Sequence, residues 1–253
     1  MLKKKLLVAA LASAFALPAM AEDSPVSFNV GLVSDYLVRG ISQTSAKPAL
    51  QGGVDYAHES GFYIGAWGSN ISWITDFGAT GTANIEVDTY GGFSNSINDD
   101  TSYNVGFIRY NYLGSYTPVA GTVKADTQEL YGALTYKYVT AKYSYSLGDF
   151  LTVPNAKGTS YFELNGSYTL EDMGVTLDAH YGTQKYKGAD ADALAAAGFD
   201  ASYSDYSLKA SKDFSGYTVG AMLSNTNATD FYTTPAGKKL GRSTLVLSVT
   251  HGF

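Results

Sequence analysis

What most limits the fold of this chain is a period. From residue 26 onward, runs of about ten residues alternate apolar and polar side chains, as in membrane-spanning barrel strands. Successive side chains of a strand point to opposite faces, so each run carries one apolar face and one polar face. The last run, RSTLVLSVTHGF, is the plainest example. Leu245, Leu247, Val249 and Phe253 share one parity, and Thr244, Ser248 and Thr250 share the other. A chain ending on an apolar strand with an aromatic residue is unusual for a soluble protein, whose termini fray and carry polar groups.

The runs predict strands at 26–38, 49–59, 62–72, 85–93, 101–113, 127–137, 140–148, 159–170, 175–185, 203–214, 217–225 and 242–253. The connections alternate strictly. Turns such as Ser60-Gly61 and Ser215-Gly216 are tight hairpin signals, whereas 40–48, 73–83, 114–126, 149–158, 186–202 and 226–241 are long. An even strand count with short turns at one end and long loops at the other is the pattern of a closed outer-membrane barrel. The expected fold is therefore all-β, a closed antiparallel transmembrane β-barrel of twelve strands occupying residues 22–253. A β-sandwich or an enclosed lectin-like barrel would need neither the loop rhythm nor an apolar face on every strand.

Residues 1–21 read as a secretory signal peptide. Lys3, Lys4 and Lys5 precede an apolar stretch at 6–17, and Ala19-Met20-Ala21 is a small-x-small cleavage pattern. That stretch falls short of the roughly 20 residues a spanning helix needs. Export through the periplasm to the outer membrane is the expectation, with lipid and, through the terminal strand and Phe253, the barrel-assembly machinery as partners. Without the three signal lysines the chain keeps 14 Lys and Arg against 23 Asp and Glu, a net charge of −9 that argues against nucleic acid. No cysteine is present, so disulfide and thiolate-metal scaffolds are excluded.

The charged parity must face inward. Lys or Arg near the bilayer midplane costs about 2–4 kcal/mol, and the polar faces hold too many charges to meet lipid. This assigns Asp35, Arg39, Gln51, Asp55, Glu86, Asp88, Glu129, Lys137, Lys142, Glu163, Asp178 and Lys209 to the lumen as pore-lining candidates, with Asp205 and Asp213 beside them. Rings of carboxylates bias a pore toward cations and neutral polar solutes. Asp35 and Arg39, where the first long loop begins, could anchor that loop inward or form a charged constriction. Val33, Leu37, Tyr131, Met222 and Val246 break the pattern by falling on lumen parity, which suggests packing against an inward loop. Both parities are mixed in 62–72, and the apolar parity switches after Phe107 in 101–113, as a bulge would cause. Trp73 and the many Tyr residues near strand ends suit interfacial girdles.

Chemistry has few carriers. The histidines are His58, His180 and His251, and no G-x-S-x-G elbow, zinc-ligand cluster, phosphate loop or dinucleotide fingerprint accompanies them. Neither catalysis nor a cofactor or metal is expected.

The blocks Ser34-Asp35-Tyr36-Leu37-Val38-Arg39-Gly40-Ile41-Ser42-Gln43-Thr44, Pro48-Ala49-Leu50-Gln51-Gly52-Gly53-Val54-Asp55-Tyr56, Gly61-Phe62-Tyr63-Ile64-Gly65-Ala66-Trp67 and Glu86-Val87-Asp88-Thr89-Tyr90-Gly91-Gly92 resemble the TorF porin family. The resemblance covers residues 34–92 and implies a proteobacterial outer-membrane porin without catalytic residues. It implies that Asp35, Arg39, Gln51, Asp55, Glu86 and Asp88 belong to the family signature. The expected function is passive diffusion of small polar solutes with a weak cation bias. The alternative is a non-conducting barrel whose long outer loops bind a surface ligand or partner.

Overall fold

The computed structural model describes residues 24–253; the signal peptide expected at 1–21 lies outside the described residues. Twelve strands form one closed antiparallel barrel. They are β1 (Val26–Val33), β2 (Ala49–Ala57), β3 (Phe62–Asn70), β4 (Ile85–Ser96), β5 (Thr101–Leu113), β6 (Thr127–Tyr136), β7 (Val139–Ser146), β8 (Ser160–Leu170), β9 (Val175–Lys185), β10 (Tyr203–Phe214), β11 (Tyr217–Thr226) and β12 (Thr244–Gly252). Each strand pairs with its sequence neighbours, and β12 returns to β1 with Leu32 opposite Val249 and Val30 opposite His251. Phe28 and Phe253 complete the seam by exchanging backbone hydrogen bonds of 3.1 and 2.9 Å. Closure leaves no unpaired edge, and a sheet can cross hydrocarbon only in that form.

The alternation seen in the sequence becomes two surfaces. Phe28, Val30, Leu32, Leu130, Leu164, Leu208, Leu245 and Leu247 point out and are exposed, while Ser27, Asp55, Glu129, Glu163 and Asp205 point in and are buried. Aromatic side chains gather outside at the end with short turns. Phe62 meets Phe93, Tyr138 meets Tyr168, and His251 stacks on Tyr217 with Phe253 at its edge.

The six long loops share the other end: L1 (34–48), L2 (71–84), L3 (114–126), L4 (147–159), L5 (186–202) and L6 (227–243). Three of them fill the upper bore. Tyr36 and Ile41 of L1, Trp73 and Ile74 of the short helix α1 (Trp73–Asp76) in L2, and Tyr232 and Leu240 of L6 form one apolar cluster with inward side chains of the wall.

That cluster explains where the structure departs from the expected strands. The first strand ends at Val33 rather than 38, because Asp35 turns inward to accept hydrogen bonds from Ser42 Oγ (2.6 Å) and Thr44 Oγ1 (3.0 Å). Leu37 and Val38 then pair with Ser42 and Ile41 in a small inward hairpin. Its tip uses the left-handed region at Arg39 (φ 49°) and Gly40 (φ 77°). In β5 no bulge occurs: its register with β4 runs unbroken from Ser102 to Leu113. Ile108 and Tyr112 are apolar yet face inward, since loop residues cover them. Arg109 and Asn111 take the outer parity close to the loop end, where Arg109 bonds Asn111 and meets Asp126 at 3.5 Å. In β3 the mixed parities resolve in the same way, with Phe62 and Ile64 outside and Tyr63 and Trp67 buried inside. Trp73 is no girdle residue; it is buried among the loops.

Candidate functional site

L1 enters the bore from the β1–β2 side and touches the far wall. The Arg39 guanidinium donates to Glu129 Oε2 on β6 (2.7 Å) and to Gln184 Oε1 on β9 (2.8 Å). Its carbon lies 4.4 Å from the ring centroid of Tyr161 on β8 and 5.8 Å from that of Phe150 in L4. A planar, always-charged fork suits such a junction, because it can meet a carboxylate, an amide and a π-face together. A second anchor lies near the root of the loop, where the Tyr36 hydroxyl donates to Glu86 Oε1 (3.0 Å). L1 thus reaches across the lumen as a strap tied at its root by Tyr36 and at its tip by Arg39.

The Asp35 carboxyl organises that strap. Burial pushes its pKa up, while the bonds from Ser42 and Thr44 pull against that rise. Its Oδ2 has no hydrogen-bond partner.

Below the strap the wall is polar. Tyr161 donates to Asp205 Oδ2 (2.8 Å) and lies 2.9 Å from His180 Nε2; His180 Nδ1 lies 2.6 Å from Asn165 Oδ1. Asn165 donates to Glu163, which also meets Lys142 Nζ at 3.3 Å. On the other side of the bore Tyr90 donates to Asp55 (2.6 Å), and the hydroxyls of Tyr63 and Tyr131 meet at 2.5 Å. Several of these tyrosines bring their phenol ends over glycines of a neighbouring strand: Tyr131 over Gly106, Tyr63 over Gly92 and Tyr161 over Gly182. A side chain at those glycines would occupy the space the rings need, so the glycines set the wall's thickness.

Most residues expected in the lumen are there. Asp35, Asp55, Glu86, Asp88, Glu129 and Glu163 are buried inside the barrel, as is Asp205, and Arg39 lies in the strap. Gln51 bonds Ser69 at 3.4 Å, Asp178 accepts from Ser167 (2.7 Å), and Lys209 is the register partner of Asp178. Lys137 is the exception. It sits in the two-residue turn between β6 and β7 with φ 52°, pairs with Asp100 at 3.5 Å, and is on the rim rather than the wall. Asp213 likewise serves a turn, accepting from the Gly216 amide (3.1 Å). Asp88 is fully buried beside Glu86, and the two carboxyl groups meet each other, with Tyr36 donating to Glu86 Oε1.

Sequence reasoning missed the vestibule above the strap. A cavity of about 240 Å³ opens among all six loops, with Arg39 and Gln184 at its inner end and Trp73, Tyr110, Tyr112, Tyr203 and Phe231 along its sides. Apolar residues on lumen parity were the available signal, since a water-filled bore has no use for Ile108 or Tyr112.

A closed twelve-strand barrel with a lipid-facing apolar band and a charged bore is an outer-membrane barrel of the porin type. The chain belongs to a family described as a bacterial protein of unknown function (Gcw_chp), whose model matches residues 19–253. Curated proteins provide no match. Among solved structures, the KdgM porin aligns with a TM-score of 0.52 at 10% identity over 90% of this chain and 99% of that one. NanC porin aligns with 0.51 at 8% identity over 89% and 98%. KdgM in complex with disordered oligogalacturonate aligns with 0.50 at 9% identity over 90% and 98%. At these identities the likeness is one of fold.

Proposed function

We propose that this protein is an outer-membrane channel for passive diffusion of small polar solutes, with L1 as its constriction and a weak preference for cations. The observation that carries the reading is the Arg39–Glu129 contact across the bore, because it holds a loop inside a barrel that its strands alone would leave wider. Twelve strands enclose more space than eight, whose side chains nearly fill the interior, and less than the open sixteen- to eighteen-strand porins. Carboxylates outnumber Arg39, Lys142 and Lys209 along the bore, and a surplus of fixed negative charge raises the local cation concentration. The same surplus disfavours the acidic oligosaccharide named with KdgM, so that cargo does not transfer to this chain.

The resemblance of residues 34–92 to the TorF porins supports the channel reading. So does the topology expected of an exported chain: signal peptide removed after Ala21, short turns and both termini in the periplasm, long loops outside. Planar-bilayer recording tests it. Reproducible conductance steps, with a reversal potential of cation-selective sign in a potassium chloride gradient, are the expected result. Anion-selective steps would remove the charge argument.

A second reading has one observation in its favour. The apolar cluster beneath L1, L2 and L6 packs the loop end as a core is packed, which suits a non-conducting barrel that presents its loops to a partner. Silence in the bilayer from correctly folded protein would favour this reading.

A further inference from the structure

We infer that the vestibule above L1 is a binding site for a single-ring, predominantly apolar solute of substituted-benzene size, and that it selects against sugars. Three observations lead there. The first is size. A cavity of about 150 Å³ lined by Leu, Ile and Phe accepts one benzene molecule. The vestibule, at about 240 Å³, has room for one ring carrying a small substituent.

The second is surface. Trp73, Phe77, Phe150, Tyr186, Tyr203 and Phe231 all contribute to the lining, along with aliphatic residues from L1 to L3. Aromatic walls favour aromatic guests through edge-to-face and offset contacts.

The third separates a ring from a sugar. Most polar side chains of the lining spend their hydrogen bonds on the protein itself, the buried and unpartnered Trp73 indole N–H being an exception. Arg39 is engaged by Glu129 and Gln184, and Gln184 Nε2 donates to the Ser160 carbonyl. Gln43 donates to the Ile41 carbonyl, Thr122 to Val119 and Thr127 to Ala125. Among the tyrosines, Tyr110 donates to Glu129, Tyr232 to the Ala201 carbonyl, and Tyr116 accepts from the Ala125 amide. A sugar entering here would give up water at its several hydroxyls and find most donors and acceptors already committed, with one free indole N–H a poor replacement. A toluene-like molecule surrenders nothing of the kind. The one charge in the lining, Arg39, is neutralised by Glu129, so an anionic substituent gains little. The inference does not depend on conduction, because the site would fill whether or not the bore beneath it passes ions.

The test is equilibrium binding to the full-length mature protein in dioleoylphosphatidylcholine vesicles, which keeps detergent out of the cavity. The probe is 4-nitrotoluene, a contact quencher of indole fluorescence, reporting on Trp73 in the lining. Saturable quenching is expected, displaced by toluene and unaffected by glucose. Ala79→Phe fills the lining and Val119→Trp blocks the exposed L3 rim. Each should weaken toluene displacement, read by competition where the new indole complicates direct quenching, by at least about tenfold, which is 1.4 kcal/mol. Gel mobility of unheated samples verifies that both variants are folded. Quenching that is linear and equal to that of a tryptophan reporter in lipid alone would overturn the proposal. So would displacement by glucose, or by hexanol as effectively as by toluene, since the latter would mark a site for acyl chains.

Discussion

Arg39 and Glu129 meet at 2.7 Å although one belongs to the first loop and the other to the sixth strand of the barrel. Their side chains are only 10% and 1% exposed, so the pair is effectively buried. Removing one partner of a buried pair costs about 3–5 kcal/mol, because the survivor keeps its charge without compensation. That cost falls on the inward position of L1, as the backbone ladders that close the barrel involve neither side chain. Arg39→Ala is therefore expected to insert and close normally yet show larger and noisier conductance steps. Glu129→Gln, which keeps an acceptor for the guanidinium, should change conductance less. Equal conductance in wild type and Arg39→Ala would remove L1 from the pathway.

Asp35 offers a pH-dependent counterpart. Its folded pKa lies above the ordinary carboxylate value through burial, so folding of the loop binds the proton. By linkage, the Asp35 contribution favours inward L1 fully at pH below the unfolded value and is lost as pH rises through the raised folded one. Asp35→Asn keeps an acceptor for Ser42 and Thr44 and supplies no charge. The variant should hold L1 inward with less dependence on pH between the ordinary and the raised value. The check is conductance recorded across that acidic range in both proteins; parallel curves would eliminate Asp35 as a titrating anchor.

The barrel was legible because its rule is repeated twelve times, and each strand needs only to obey a period of two. Leu245, Leu247 and Val249 face out for the same reason as Phe28, Val30 and Leu32, and no tertiary knowledge is required to see it. Lumen carboxylates such as Glu129 and Glu163 followed from the cost of placing charge in lipid. An inward loop was suggested by the apolar residues on lumen parity and by Asp35 and Arg39, but its path and its contacts in the bore escaped. Val26–Val33 ends where Asp35 finds Ser42 and Thr44, two contacts that local alternation cannot reveal. The apparent parity switch in β5 came from Ile108 and Tyr112, which are apolar and inward because L1 and L2 cover them. Lys137 carried lumen parity but lies one residue beyond its strand, at a turn where parity loses meaning.

The glycines beneath the lumen tyrosines give a stability test. Tyr161 lies so close over Gly182 that a methyl group there would collide with its ring. Gly182→Ala should lower the urea midpoint by an amount equivalent to about 1–3 kcal/mol, the usual cost of overpacking. Tyr161→Phe keeps the ring but leaves Asp205 and His180 short of one partner, at a cost of about 1–3 kcal/mol. The two sites are in contact, so their effects should not add. Loss of the slow-unfolding electrophoretic form across a urea series measures all three variants. An additive double variant would mean that the ring does not rest on the glycine.

Phe253 tests the seam. Its backbone exchanges hydrogen bonds with Phe28, and its ring packs on the edge of His251, which itself stacks on Tyr217. The two kinds of contact can be separated. Phe253→Ala keeps both backbone bonds and removes the ring, so a barrel that has already folded should conduct normally and unfold at nearly the same urea concentration. Deleting the residue removes the ring and the closing pair together. If the ring is the handle for the assembly machinery, both variants should accumulate poorly in the outer membrane of cells while refolding comparably to wild type in vitro. If the seam is what matters, only the deletion should fail, and it should fail in vitro as well. The ratio of outer-membrane yield to in-vitro refolding yield distinguishes the two roles, and normal cellular yield from Phe253→Ala would show that the aromatic side chain is not the assembly signal.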